Sequence, residues 1–284
     1  MKMDKNVHTF IGCDNGYDES GIVIFGAPFD GTTSYRPGTR FASSAMRNES
    51  FGMETYSPYQ DKDLLDIPVF DGGDLELAFG NVEKALLDIQ RFEEKLLSDE
   101  KIPCMIGGEH LVTLGAVRAV SEKYKNLKIV HLDAHADLRA EYLGEALSHA
   151  TVMRRCWEIV GDNSIFQFGI RSGEREEFTF AKRHTSLHKF NFTGIDSVKD
   201  RVEDDPVYLS VDLDVLDPSV FRGTGTPEAG GVTYTELLGA LEAASLLNIV
   251  ACDVNELCPV YDQSGASTAL ACTFLRELLL RISR

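Results

Sequence analysis

The chain has 284 residues, 43% hydrophobic and 26% charged, enough apolar material for one sizeable soluble domain. A formal net charge of −17 without a Lys/Arg cluster excludes an electrostatic nucleic-acid binder. No apolar run approaches the ~18–20 residues of a bilayer span, and residues 1–5 lack a signal-peptide core, so a cytoplasmic protein with no membrane partner is expected. The six cysteines, Cys13, Cys104, Cys156, Cys252, Cys258 and Cys272, form no CxxC pair and read as reduced core thiols.

Residues 1–20 are polar and irregular and predict a loosely ordered leading segment. A first buried strand is expected at 21–26. The stretch 27–40, rich in Gly, Pro, Thr and Asp, predicts a long functional loop. A short helix is expected at 43–47 and a strand at 67–70. Residues 81–97 show helical periodicity, with Val82, Leu86, Leu87, Ile89, Phe92 and Leu96 as the apolar stripe. Strands follow at 102–106, 127–132, 164–168, 207–211 and 249–254. Helices are expected at 110–124, from about 149, at 173–182, at 233–247 with Thr233 as N-cap, and at 268–282. Apolar strands alternating with helices over the whole length predict an α/β fold: one domain, 1–284, with a mostly parallel central sheet covered on both faces.

The chain is organised around residues 131–139, His-Leu-Asp-Ala-His-Ala-Asp-Leu-Arg. Asp133, His135 and Asp137 stand at alternate positions just past a buried strand, and an extended backbone would point all three one way. Asp212 and Asp214 repeat the spacing after the strand at 207–211. Gly107-Gly108-Glu109-His110 follows the strand at 102–106. In open α/β sheets ligands gather beyond the carboxyl ends of the strands, and all three motifs sit there. They are expected to converge and hold His110, Asp133, His135, Asp137, Asp212 and Asp214 around two divalent cations.

Charge arithmetic supports that grouping. Each like-charge pair at ~4 Å costs ~4 kcal/mol at an effective dielectric of 20. Four crowded aspartates therefore need counter-charge, which two divalent ions supply. Carboxylates with few imidazoles and no thiolate suit Mn²⁺ better than structural Zn²⁺. Two such ions lower the pKa of a shared water toward ~7, the nucleophile for a difficult hydrolysis.

Taken singly, an Asp-x-Asp after a strand is more often a turn pair, and Gly-Gly-Glu-His is most simply a strand-to-helix turn. His131 reads as a satisfied core histidine, and His8, His184 and His188 lack ligand-like neighbours. His149 suits a proton shuttle at the pocket rim, or else simply starts a helix. Glu256 suits a bidentate partner for a cationic group, or else is a loop acid. Gly223-Thr224-Gly225-Thr226-Pro227 is a tight turn that could line the pocket.

The motifs in combination resemble the ureohydrolases, the family of arginases and agmatinases. The likeness rests on Gly-Gly-Glu-His at 107–110, Asp-Ala-His-Ala-Asp at 133–137, Ser-His-Ala-Thr at 148–151, Ser-Val-Asp-Leu-Asp-Val-Leu-Asp-Pro at 210–218, Gly-Thr-Gly-Thr-Pro-Glu-Ala-Gly-Gly at 223–231 and Asp-Val-Asn-Glu at 253–256. The resemblance implies a three-layer α/β/α fold and a binuclear manganese centre that hydrolyses a guanidinium to urea and an amine. By that likeness His110, Asp133, Asp137 and Asp212 bind one ion and Asp133, His135, Asp212 and Asp214 the other, with Asp133 and Asp212 bridging. His149 corresponds to the proton shuttle, Glu256 to the acid that grips the guanidinium, and Thr226 to a wall of the same pocket. A homo-oligomer, trimer or hexamer, is also implied.

Arginases carry Asn and Ser groups after the Asp-x-His-x-Asp segment that grip the substrate's carboxylate. Residues 138–147 here have neither, and they carry Glu141, Glu145 and Arg139. The two acids favour a cationic tail, whereas Arg139 favours a carboxylate. The loop and the run at 253–262 look most like bacterial agmatinases, so the expected reaction is agmatine to putrescine and urea, a step of polyamine biosynthesis. The alternatives are another ureohydrolase, such as an arginase or guanidinobutyrase, a non-catalytic scaffold, and a single-zinc deacetylase on a related sheet.

Overall fold

The computed structural model describes residues 8–283. In chain order the strands and helices are β1 (Ile22–Gly26), α1 (Ala42–Ser50), β2 (Tyr56–Ser57), β3 (Lys62–Asp63), β4 (Val69–Asp74), α2 (Val82–Ser98), β5 (Ile102–Ile106), α3 (Val112–Lys123), β6 (Lys128–Leu132), α4 (Val152–Val160), β7 (Ile165–Ile170), α5 (Arg175–His184), β8 (Ser186–Lys189), α6 (Val198–Val202), β9 (Pro206–Asp212), α7 (Tyr234–Ala244), β10 (Asn248–Asn255) and α8 (Ala266–Ile282). Eight strands form one sheet in the order β4-β1-β5-β10-β9-β6-β7-β8, and every pairing in it is parallel.

The strands are apolar on both faces because helices cover both. Along β1, Ile22 and Ile24 face one core, shared with Met46 of α1 and Leu275 and Leu279 of α8. Val23 and Phe25 face the other, shared with Leu86 and Ile89 of α2 and Val117 of α3. Local chemistry agrees with the helix boundaries. Thr233 opens α7 in a capping box: Glu236 N donates to its hydroxyl at 3.3 Å, and Thr233 N donates back to Glu236 Oε2 at 2.7 Å. No helix among the described residues is long and apolar enough to cross a membrane.

One expectation needs correction, and three features of the fold were not expected. The leading segment is not loose from residue 8 onward: Phe10 and Cys13 are fully buried, and Phe10 N donates to Asp71 Oδ2 at 2.8 Å. Two apolar residues among polar ones suffice to dock it; residues 1–7 lie outside the described residues. The edge strand β8 was not expected, because Ser-Leu-His-Lys is half-exposed and carries no apolar run. The 2-stranded β2–β3 hairpin and the short α6 escaped for the same reason.

Candidate metal centre

β5, β10, β9 and β6 are consecutive neighbours at the centre of the sheet, and their carboxyl ends deliver the motif residues to one place. His110 comes from the turn after β5, Glu256 from just past β10, Asp212 and Asp214 from the end of β9, and Asp133, His135 and Asp137 from beyond β6. The turn after β5 depends on its glycines. A Cβ on Gly107 would overlap the Asn255 side chain, and one on Gly108 would overlap the carbonyl of Phe29.

The segment after β6 is not the extended strand its spacing suggested. Regular pairing stops at Leu132, and His135 keeps only an isolated bridge to Ser172. His135 N donates to Asp133 Oδ1 at 2.5 Å, and Asp137 adopts φ 53°. Glu256 also has positive φ, at 65°. Such backbone is uncommon for residues with a Cβ, and here it sits on two charged groups that face the same cavity.

The side chains fall into two groups. In the first, His110 Nδ1 faces Oδ2 of Asp133, Asp137 and Asp212 at 3.0, 3.3 and 3.2 Å. In the second, His135 Nδ1 faces Asp214 Oδ2 at 3.0 Å and Asp133 Oδ1 at 3.5 Å. Asp133 thus gives one oxygen to each group. Asp212 offers Oδ2 to the first group, while its Oδ1 accepts from Asp214 N at 2.8 Å.

These donors fit divalent cations. Bonds of about 2.0–2.2 Å in an octahedron put neighbouring donor atoms about 3 Å apart, which is the spacing found. His110 Nδ1 is buried and makes no hydrogen bond among the described residues. Ser210 commits its proton to Asp253 Oδ1 at 2.7 Å, so His110 Nε2 must donate to Ser210 Oγ at 2.9 Å. That leaves the Nδ1 lone pair available to a cation. Tyr208 and Thr113 also donate to Asp253, at 2.6 and 2.7 Å. None of these supporting groups stood out in the sequence, although Ser210 and Asp253 lie inside its motifs.

His131 is fully buried. Gln167 Nε2 donates to its Nδ1 at 3.1 Å, so its Nε2 donates to Asp133 Oδ2 at 2.8 Å. It is a satisfied core histidine that also steadies the shared carboxylate.

Electrostatics point the same way. Burial, joined by the charges of Asp214 and Asp133, pushes Asp212 well above the usual carboxylate range. Burial also raises Asp214, against the pull of His135. Burial opposes charge on Asp133, yet His131 and His110 hold it well below that range. Burial likewise opposes protonated His110 and His135, but the surrounding aspartates raise both well above the ordinary imidazole value. A site that draws protons onto its histidines has more buried negative charge than it can carry alone.

A cavity of about 130 Å³ opens over both groups, lined by His149, Thr226 and Glu256 among others. Thr226 Oγ1 donates to Asp214 Oδ2 at 3.4 Å. His149 lies edge-on to Tyr142, with ring centroids 5.7 Å apart. All nine residues singled out in the sequence meet here: eight line the cavity wall, and Asp133 is buried beneath them as the shared acid.

Glu141 and Glu145 do not line this cavity. Tyr142 and Glu145 exchange backbone hydrogen bonds of 2.8 and 3.0 Å across a tight turn at Leu143 and Gly144, which turns that part of the loop outward. Arg139 and Tyr142 face inward instead, together with Glu177, which sequence reasoning missed. Arg139 is not a free cation: Nη1 meets Glu174 at 2.7 Å, Nε lies 3.6 Å from Glu177, and the guanidinium sits 4.6 Å over the Tyr142 ring.

A family model described as Arginase family matches residues 20–281. The chain belongs to the arginase family. Within the arginase family, the agmatinase of Bacillus anthracis is 44% identical over 276 residues, 95% of each chain. The guanidinobutyrase of Pseudomonas aeruginosa is 31% identical over 280 residues, 92% of this chain and 86% of that protein. The crystal structure of agmatine ureohydrolase of Thermoplasma volcanium superposes with a TM-score of 0.88 at 36% identity, covering 98% of this chain and 94% of that one. This arginase-family chain is an agmatinase-type ureohydrolase, and its two His/Asp groups fit a binuclear metal centre.

Proposed function

We propose that the protein hydrolyses agmatine to urea and putrescine with two manganese ions, as a cytoplasmic homo-oligomer, a trimer or hexamer. The observation that carries the hydrolase reading is the division of the Asp133 carboxylate between the two ligand groups, beneath a cavity that also presents Glu256 and His149. His110, Asp133, Asp137 and Asp212 hold one ion. His135, Asp214, Asp133 and Asp212 hold the other, with Asp133 and Asp212 shared. When bound, the ions supply Lewis acidity and an activated water, which a delocalised guanidinium requires.

The chain's own residues do the rest. Glu256 pairs with the guanidinium and fixes its orientation, with Thr226 against the same group. Burial pushes His149 below its ordinary value, so its ring is neutral near pH 7. It accepts the proton lost by the attacking water and delivers it to the departing nitrogen as the C–N bond breaks. Asp137 lines the cavity beside it.

The substrate tail follows from Arg139. Two glutamates neutralise that guanidinium, so the wall at that end of the cavity carries surplus negative charge. It favours the ammonium of agmatine over the carboxylate of an ω-guanidino acid or the α-carboxylate of arginine. The six buried free thiols support a reducing compartment.

The test is a panel of agmatine, arginine and 4-guanidinobutyrate on manganese-loaded protein, with urea as readout. Agmatine is expected to exceed both in kcat/KM by about 100-fold. Turnover of arginine or of the guanidino acid above that of agmatine overturns the assignment.

A further inference from the structure

The loop that brings Ser34 to the cavity wall has no helix or strand over residues 31–36, yet it bears on His149. Glu109 holds it there. The Glu109 side chain is fully buried and does not line the cavity. Its Oε1 accepts the Thr32 hydroxyl, and both oxygens accept Thr32 N, at 3.2 and 3.0 Å. Oε2 also accepts the Thr33 hydroxyl at 2.9 Å.

A threonine hydroxyl has one proton and two lone pairs. With its proton on Glu109, Thr32 Oγ1 is left as an acceptor, and His149 N donates to it at 3.1 Å. Two residues further on, Ser34 Oγ lies 3.5 Å from His149 Nε2. The geometry points to Glu109 as a positioning residue for His149, acting through Thr32. Because Glu109 precedes His110 directly, one dipeptide sets both the metal-facing imidazole and the proton-carrying one. The inference rests on His149 as the proton carrier.

Misplacing a reacting group by about 1 Å can cost about 100-fold in rate, so a loosened strap should appear in kcat. The experiment compares T32V, T32S, E109Q, H149A and T32V/H149A in the manganese-loaded full chain, following kcat, KM, metal content and the thermal unfolding midpoint. T32V keeps the side-chain shape and removes the hydroxyl. It is expected to lower kcat about tenfold with KM within about twofold and metal content unchanged, and T32S is expected to recover most of the loss. E109Q keeps one acceptor oxygen for the Thr32 hydroxyl and loses the other, so it should show part of the T32V loss in kcat; where it fails to fold, T32V carries the test. In the H149A background T32V should cost nothing further, because the group it positions is gone. Wild-type kcat in T32V beside a crippled H149A overturns this inference alone, as does an equal T32V loss with and without His149. Wild-type kcat in H149A overturns the reading of His149 and this inference with it.

Discussion

Glu256 is tied to the turn that carries His110 by both its side chain and its backbone. The main-chain N–H of His110 donates to Glu256 Oε1 at 2.7 Å, while Glu256 N donates to the carbonyl of Gly108 at 3.0 Å. The residue that faces the three aspartates therefore also fixes the acid proposed to hold the guanidinium.

E256Q should separate these two tasks. The glutamine oxygen can still accept from His110 N, so the fold and both metal positions persist. The charge is lost, and with it the charge-assisted pair to the substrate. Steady-state urea release from agmatine should fall at least about 100-fold in kcat/KM. Elemental analysis should still find two ions per chain.

Asp133 and His135 should differ in what they hold. Asp133 feeds both groups, whereas His135 belongs to one. D133A is expected to leave the chain nearly free of metal after gel filtration in metal-free buffer. H135A is expected to retain about one ion. Equal occupancy in the two variants would contradict the shared role of Asp133.

Glu174 is half-exposed, while Glu177 is buried against Leu138 N. E174A should therefore spare the fold and loosen the clamp on Arg139. The ratio of kcat/KM for 4-guanidinobutyrate over agmatine should then rise about tenfold, as the guanidinium becomes available to a carboxylate. An unchanged ratio would separate Arg139 from tail selection.

The thiols give a pH test. Burial pushes Cys156, Cys258 and Cys272 up to about 12, and Cys13 and Cys252 are also raised well above the ordinary thiol value. A raised pKa keeps the unreactive protonated form at pH 8. The native protein should show almost no rapid reaction with a disulfide reagent between pH 7 and 9, and the unfolded chain should show six thiols.

The sequence made the sheet and the two His/Asp groups legible because both are written locally. Apolar runs bounded by turn residues marked the central strands, and His110, Asp133, His135, Asp137, Asp212 and Asp214 stand directly past them. What stayed hidden depends on long-range meetings. Arg139 looked like a carboxylate binder until Glu174 and Glu177, 35 and 39 residues from the Arg139 and Leu138 groups they meet, closed on that segment. Spacing alone put Asp133, His135 and Asp137 on a straight strand, whereas hydrogen bonds to Ser172 bend that segment and turn Asp137. Glu109 passed as part of a strand-to-helix turn because its partners, Thr32 and Thr33, come from a loop without periodicity.

Manganese titrated into metal-free protein, with urea formed from agmatine as the signal, tests the central claim most directly. Two ions acting together should leave the chain nearly inactive at the first equivalent and bring full activity near the second. Full activity at one equivalent, or with a single zinc per chain, would contradict the account.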